Sequence, residues 1–452
     1  MKRFFLAFVL SAVVSSPAAA SDWPQFRGAA GSAVSSDSNV PDHWSSETHL
    51  LWKARLPGPG ASSPIILGDR VYVTCYSGFG TNAENHGNVK ALVRHLVCLD
   101  RKQGEVEWTS DIHSNSPEAA YQGFMTRHGY ASSTPATDGT RIYLFLGTAG
   151  VRAFDLEGKE LWKQSLGTET DPWGTASSVR LHDNLVIVNA AVESGAIVAL
   201  NKENGHEVWR FQVDRQSWST PAIVETDEGK HELVVNSRGR ISGLDPLKGK
   251  ELWHCKGLDD YICPSVTPGK GIAYVSGARQ SAVVAVRCGG SGDVNASHVL
   301  WRQRAGANVS TPVHYEGRLY GVKDQGGVTY CLDAASGKIL YEKRMSPDDA
   351  PARPAAFQPG GRGRGGRRGG MARGGGPGGL SFYASPVAAD GKIFIISRTS
   401  GVFVLAAKPK FELLARNQFD ADPGPFDGTP AICDGQIFFR SNENLYCVGA
   451  KE

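Results

Sequence analysis

The chain has 452 residues, 41% hydrophobic and 21% charged, with 54 glycines, 24 prolines and eight cysteines. That composition excludes a disordered chain, and the lack of long apolar runs excludes a polytopic membrane protein. Net charge is +3; without Lys2 and Arg3 of the N-terminal leader it is +1, and without the five arginines of residues 359–379 about −4. The body therefore lacks the overall basic excess of a nucleic-acid binder.

The first element in chain order is the leader. Lys2 and Arg3 precede the apolar run from Phe4 to Val14, and Ala18-Ala19-Ala20 offers a cleavage site before Ser21. The pattern predicts a signal peptide over 1–20, too short to span a bilayer. The mature chain is expected to be exported, periplasmic or secreted, with no transmembrane span, and monomeric.

From there a repeat runs through the chain. One recurring phrase reads strand, tight turn, strand: SSPIILGDRVYV (62–73), STPATDGTRIYLF (133–145), SSVRLHDNLVIV (177–188) and STPAIVETDEGKHELVV (219–235). It returns as PSVTPGKGIAYV (264–275), STPVHYEGRLYGV (310–322), ASPVAADGKIFII (384–396) and GTPAICDGQIFF (428–439). A second phrase follows most copies: CLDRKQGEVEW (98–108), AFDLEGKELW (153–162), ALNKENGHEVW (199–209), GLDPLKGKELW (243–253) and CLDAASGKILY (331–341). Asp or Asn can bond the turn backbone, Gly supplies a positive φ, and alternating residues start a returning strand that carries a large ring. Joined, the phrases make four-stranded antiparallel units of the size of a propeller blade. Eight inner phrases predict an all-β, eight-bladed β-propeller over 21–452. The eighth unit lacks its outer strand, which THLLWKAR (48–55) supplies, so the N-terminal strand closes the ring and removes an exposed edge.

The segment Pro359–Gly379 is rich in glycine and arginine. Such composition binds single-stranded nucleic acid or other polyanions when flexible. Here it lies between the sixth and seventh units. It reads as a disordered insertion over 345–380 in a blade-to-blade connection, so nucleic acid is an unfavoured partner.

The phrase small-Leu-Asp-x-x-x-Gly-Lys-x-x-Trp resembles the tryptophan-docking motif of PQQ-like β-propellers, the family of quinoprotein alcohol dehydrogenases and BamB. DWPQFRG (22–28) is similar to the opening segment of such domains. The resemblance implies structural docking roles for Trp52, Trp108, Trp162, Trp209, Trp253, Trp301 and Tyr341, each sealing one blade to the next. It does not carry the dehydrogenase chemistry across. No Cys-Cys pair occurs, and no calcium-ligand set aligns. No catalytic residue, metal or cofactor is expected; PQQ with calcium is the alternative.

Cys98, Cys331 and Cys447 occupy small packing positions in the repeat. Cys75 with Cys98, and Cys255 with Cys263, are disulfide candidates. Strand order places the blade-to-blade connections and the second-to-third turns on one face, here called the top. Rings stand just before the inner strands: Tyr130, Trp173, Trp218, Tyr261, Tyr383 and Phe426. They would either line a funnel or pack neighbouring blades. Basic residues recur at the second-to-third turns: Arg238, Arg279, Lys323, Arg398 and Arg440. Acids lie near them, Asp171, Glu193, Asp259, Asp260, Asp324 and Asp427, and His128 stands beside Arg127. The connections 77–94 and 111–132 share this face. A polar funnel with aromatic walls suits a small ligand or an acidic peptide. The sequence thus reads as an exported binding or scaffold module with an unidentified protein or polysaccharide partner. A PQQ-dependent oxidoreductase is the second reading, and polyanion binding through the arginine-rich loop the third.

Overall fold

The computed structural model describes residues 22–450, except 83, 215–216, 278, 280, 347–379 and 421. The leader, and the arginine-rich insertion apart from its outermost residues, lie outside the described residues.

Eight antiparallel sheets follow one another around a ring, as the repeat predicts. The first blade is built from Ile65–Leu67, Arg70–Ser77, Val93–Asp100 and Val106–His113. Its second strand, RVYVTCYS, is buried over its six central residues, because neighbouring blades cover both faces. From Glu107 onward its outer strand alternates exposed residues with half-buried or buried ones, because one face meets water. The eighth blade takes Ala431–Cys433, Gln436–Arg440 and Asn444–Val448 from the C-terminal end and Leu50–Arg55 from the N-terminal end. Leu50–Arg55 pairs antiparallel with Asn444–Val448, so the ring closes between distant parts of the chain.

The outer hairpins show why the motif recurs. In the first blade the Asp100 carboxylate accepts the amide of Gln103, and Gly104 turns the chain at φ 73°. Asp155, Asn201, Asp245 and Asp333 hold their turns in the same way. The docking ring of each preceding blade lies on the turn glycine. A Cβ at Gly104 would meet Trp52 at 2.6 Å, one at Gly158 would meet Trp108 at 2.6 Å, and one at Gly205 would meet Trp162 at 2.5 Å. Gly249 and Gly337 receive Trp209 and Trp301 equally closely. The indole N–H then donates to the same turn: Trp52 to Arg101 O, Trp162 to Lys202 O, Trp209 to Pro246 O, Trp301 to Ala334 O.

Trp108 packs on its glycine, but its indole N–H finds no hydrogen-bond partner among the described residues, and two further rings depart from the pattern altogether. Trp253 is fully buried and donates to Glu232 Oε2 at 2.7 Å, and Glu232 also accepts the amide of Gly289 from the next blade. The fifth blade has no turn glycine at that place. Its longer connection returns as Gly292–Asp293, a short strand parallel to Glu251–Lys256. Tyr341 meets Phe411 edge-on at 5.8 Å.

The cysteines correct an expectation. All eight are free thiols. Cys75 pairs in register with His95, whereas Cys98 lies opposite Tyr72, three residues away along the strand and therefore on the other face of the sheet. Cys255 lies opposite Ile241 inside the fourth blade, while Cys263 stands in a top-face connection. Cys98, Cys331 and Cys447 are fully buried packing residues.

Residues 22–35 close the bottom of the ring. Trp23 exchanges two backbone hydrogen bonds with Ile66, Pro24 O accepts the amide of Thr137, and Gln25 Oε1 accepts that of Leu181. Farther round, the Arg27 guanidinium donates to Thr311 O at 3.1 Å and Pro312 O at 2.7 Å, and Ala33 O accepts the Ala388 amide. One short segment thus joins blades on opposite sides of the axis.

Candidate functional site: a blind funnel on the top face

The inner strands begin around the axis, each with a Ser or Thr just before its first residues. These hydroxyls form a belt. The Ser63 amide donates to Thr134 Oγ1 at 3.0 Å, the Thr134 amide to Ser178 Oγ at 3.0 Å, and the Ser178 amide to Thr220 Oγ1 at 3.0 Å. The chain continues through Thr220 to Ser265, Ser265 to Thr311, Thr311 to Ser385 and Ser385 to Thr429, at 2.9–3.1 Å. Every blade contributes one member, and all eight members line one cavity. The residue after each is Pro or Val, which commits the chain to an extended strand start and keeps the belt amides pointing sideways to the next blade.

The cavity above the belt holds about 210 Å³ of open space and is mostly apolar. Phe26, from the bottom segment, forms part of its lining. One wall is aromatic. Trp173 lies 5.1 Å from Trp218, meets Tyr261 edge-on at 4.6 Å and Phe124 at 5.0 Å. The Trp218 indole is fixed by donation to Gly174 O at 2.7 Å, and the Asp171 carboxylate accepts the Trp173 amide at 2.7 Å.

The wall formed by blades seven and eight is polar. Asp427 accepts two hydrogen bonds from Arg398, at 2.6 and 2.9 Å, and both side chains are largely buried. Burial alone would lower the Arg398 pKa, but the bond to Asp427 and its charge outweigh it and raise the value. The same guanidinium covers the Tyr383 ring at 4.5 Å. His128 lies between Ser132 Oγ at 2.8 Å and Trp173 O at 3.0 Å. Burial lowers its pKa, so the ring is neutral; Nε2–H then donates to Trp173 O and Nδ1 accepts from Ser132. Cys263 also lines the cavity, and burial pushes its thiol up to about 12, which makes it a poor nucleophile.

The structure distributes the sequence candidates in three ways. Trp173, Trp218, Tyr261 and Tyr383 line the funnel. Tyr130 and Phe426 do not: Tyr130 is buried against Tyr76 and Phe79 under the folded connections 77–94 and 111–132, and Phe426 stacks on Phe419 at 5.2 Å. Of the basic row, Arg398 flanks the funnel, whereas Arg440 is fully buried and donates to Ser62 O. Arg279 sits over Tyr261 at 5.6 Å, Lys323 pairs with Glu342 at 2.9 Å, and Arg238 is exposed in its turn. Asp324 caps the connection into blade six by accepting the amides of Asn308 and Val309. The belt, Phe26 and Phe124 escape sequence reasoning. The recurring Ser/Thr-Pro dipeptide is their only trace, and it also marks any strand start.

Known proteins share this architecture. The family model described as outer membrane protein assembly factor BamB matches residues 76–221, 147–286 and 237–452. Tetrathionate hydrolase of Acidithiobacillus ferrooxidans is 23% identical over 315 residues, 66% of this chain and 61% of that protein. BamB of Moranella endobia is 24% identical over 237 residues, 48% of this chain and 58% of that protein. The chain thus spans less than two thirds of the length of these curated relatives. Among solved structures, BamB from Moraxella catarrhalis superposes with a TM-score of 0.57 at 13% identity, covering 89% of this chain and 98% of that one. Quinohemoprotein alcohol dehydrogenase from Comamonas testosteroni gives 0.60 at 12% identity, covering 96% and 81%. At these identities the structures share the fold alone. By its sequence repeats, its eight blades and the match to the family model, the chain belongs to the PQQ-like β-propeller family that includes BamB.

Proposed function

We propose that the protein is an exported, non-catalytic binding or scaffold module that holds a ligand or a segment of a protein partner in its top-face funnel. The observation that carries this reading is the funnel itself: aromatic on one wall, hydroxyl-lined at its base and backed by residues 22–35. Its reactive groups are engaged in structure, Asp427 by Arg398 and His128 by Ser132 and the Trp173 carbonyl. Two relatives named as assembly factors of the outer membrane support a protein partner and an envelope location. Among the described residues no helix is long and apolar enough to cross a membrane.

The alternative, a PQQ-dependent oxidoreductase, draws on the shared fold with quinoprotein dehydrogenases. The residues present do not fit that group. Calcium takes six to eight oxygen ligands, several of them carboxylates, and among the described residues the one carboxylate lining the funnel has both oxygens on Arg398. A titration of the folded protein with PQQ and calcium, followed by tryptophan emission, separates the readings. A binding module shows no calcium-dependent quenching. Saturable one-to-one quenching that requires calcium would replace this proposal with the redox one.

A further inference from the structure

The hydroxyl belt has a chemical polarity that the shape of the funnel does not reveal. A hydroxyl offers one donor and two lone pairs. Seven belt hydroxyls each use a lone pair to accept an amide from the preceding blade. Among the described residues, none of the eight donates its proton to a protein acceptor. All eight side chains belong to residues more than nine-tenths buried. The base of the funnel is thus a ring of hydroxyl protons without protein acceptors among the described residues, each beside at least one free lone pair, so that the neighbouring charge decides which partner it favours.

The charge beneath the ring has the matching sign. Arg27 is 1% exposed and donates to Thr311 O, a carbonyl of the belt itself. Arg180, 3% exposed, stands close enough to lower the Arg27 pKa. Among the described residues neither guanidinium touches a carboxylate; their partners are backbone carbonyls. Two buried positive charges without a carboxylate partner among the described residues put a positive potential under the mostly apolar funnel. The carboxylate of the wall does not cancel it, because Arg398 already neutralises Asp427.

We infer that the belt is a head-group site for an organic anion, one carboxylate or comparable oxyanion carried on an aromatic or aliphatic body. The head would take belt hydroxyls as charge-assisted donors. The body would lie against Trp173, Trp218 and Phe124. The inference rests on the funnel being a binding site, and it adds the class of ligand.

The test compares three compounds of one shape: 3-phenylpropionate, 3-phenylpropanamide and 3-phenylpropylamine. Each is titrated into the full chain at constant ionic strength, with tryptophan emission as the readout. The acid should bind tighter than the amide by about tenfold, the difference between charged and neutral hydrogen bonds, and the amine weakest. In T220V combined with T311V, two donors are lost at nearly constant shape. The acid should then approach the amide, which loses less because its carbonyl makes only neutral hydrogen bonds. Those substitutions also leave the amides of Ser178 and Ser265 without acceptors, so a variant that does not fold is set aside and the three-compound comparison on the unaltered protein decides. An acid that binds no tighter than the amide overturns the inference and leaves the funnel reading standing. Failure of all three to bind overturns both.

Discussion

The Trp52 indole lies flat against Gly104, so closely that a Cβ on the glycine would fall 2.6 Å from the ring, and its N–H donates to Arg101 O at 2.8 Å. This contact joins the last blade to the first. The same packing of ring on glycine, from Trp108 to Gly158, Trp162 to Gly205, Trp209 to Gly249 and Trp301 to Gly337, is what the sequence repeat encodes. Gly104 also sits at φ 73°, where a side chain is strained. Gly104→Ala should lower stability by about 2–4 kcal/mol, from backbone strain and overpacking together. Urea unfolding checks the value, and an unchanged midpoint would show that the seal contributes nothing.

Deleting residues 48–56 removes the strand that pairs with Asn444–Val448, and Trp52 with it. The eighth blade is then left with three strands and the edge of Asn444–Val448 open. A single cooperative melt should be lost, with a broad transition and aggregation in its place. A deletion variant that melts as sharply as the full chain would refute the closure.

Glu193 gives stability a pH dependence. It is buried between blades, accepts from Thr175 and has a second oxygen without a partner. Burial raises its pKa to about 7 from 4.5. The folded state therefore holds the proton more tightly than the unfolded one, so this group's contribution falls as pH rises from 4.5 through 7. Glu193→Gln should be close to neutral at pH 4 and stabilising at pH 8, by up to about 3 kcal/mol. Melting curves at the two pH values check the sign, and a variant equally stable relative to the unaltered protein at both would contradict the assignment.

Arg398 and Asp427 form a largely buried pair with two hydrogen bonds. Arg398→Ala leaves a buried carboxylate uncompensated and should cost about 3–5 kcal/mol. Removing both partners should cost less than the sum of the single changes. A double-mutant cycle with no coupling would mean that the pair is solvated.

The repeat made the blades legible because its signals are local: an Asp or Asn, a glycine and a ring within about ten residues. Trp253 departs because the next blade replaces the turn glycine with a longer connection, a change about forty residues downstream of the ring. The funnel was half legible. Trp173 and Tyr383 precede their inner strands by similar spacings to Tyr130 and Phe426, yet the last two are drawn into packing by the long 111–132 connection and by Phe419. The belt was not legible, since each of its bonds joins residues 42 to 74 positions apart. In sequence its Ser and Thr look like ordinary strand starts. Cys75 and Cys98 misled for a similar reason: proximity on paired strands says nothing of the face until the register is known.

The most direct test of the account places a photo-crosslinking side chain at Tyr383, inside the funnel, and a second at Val208, exposed on the outer rim. Both variants are irradiated in the cells that produce them. The account predicts a discrete adduct from position 383 that disappears when Trp173 is changed to Ala, and none from position 208. Adducts from position 208 alone, or adducts from 383 indifferent to Trp173, would contradict the funnel as the binding site.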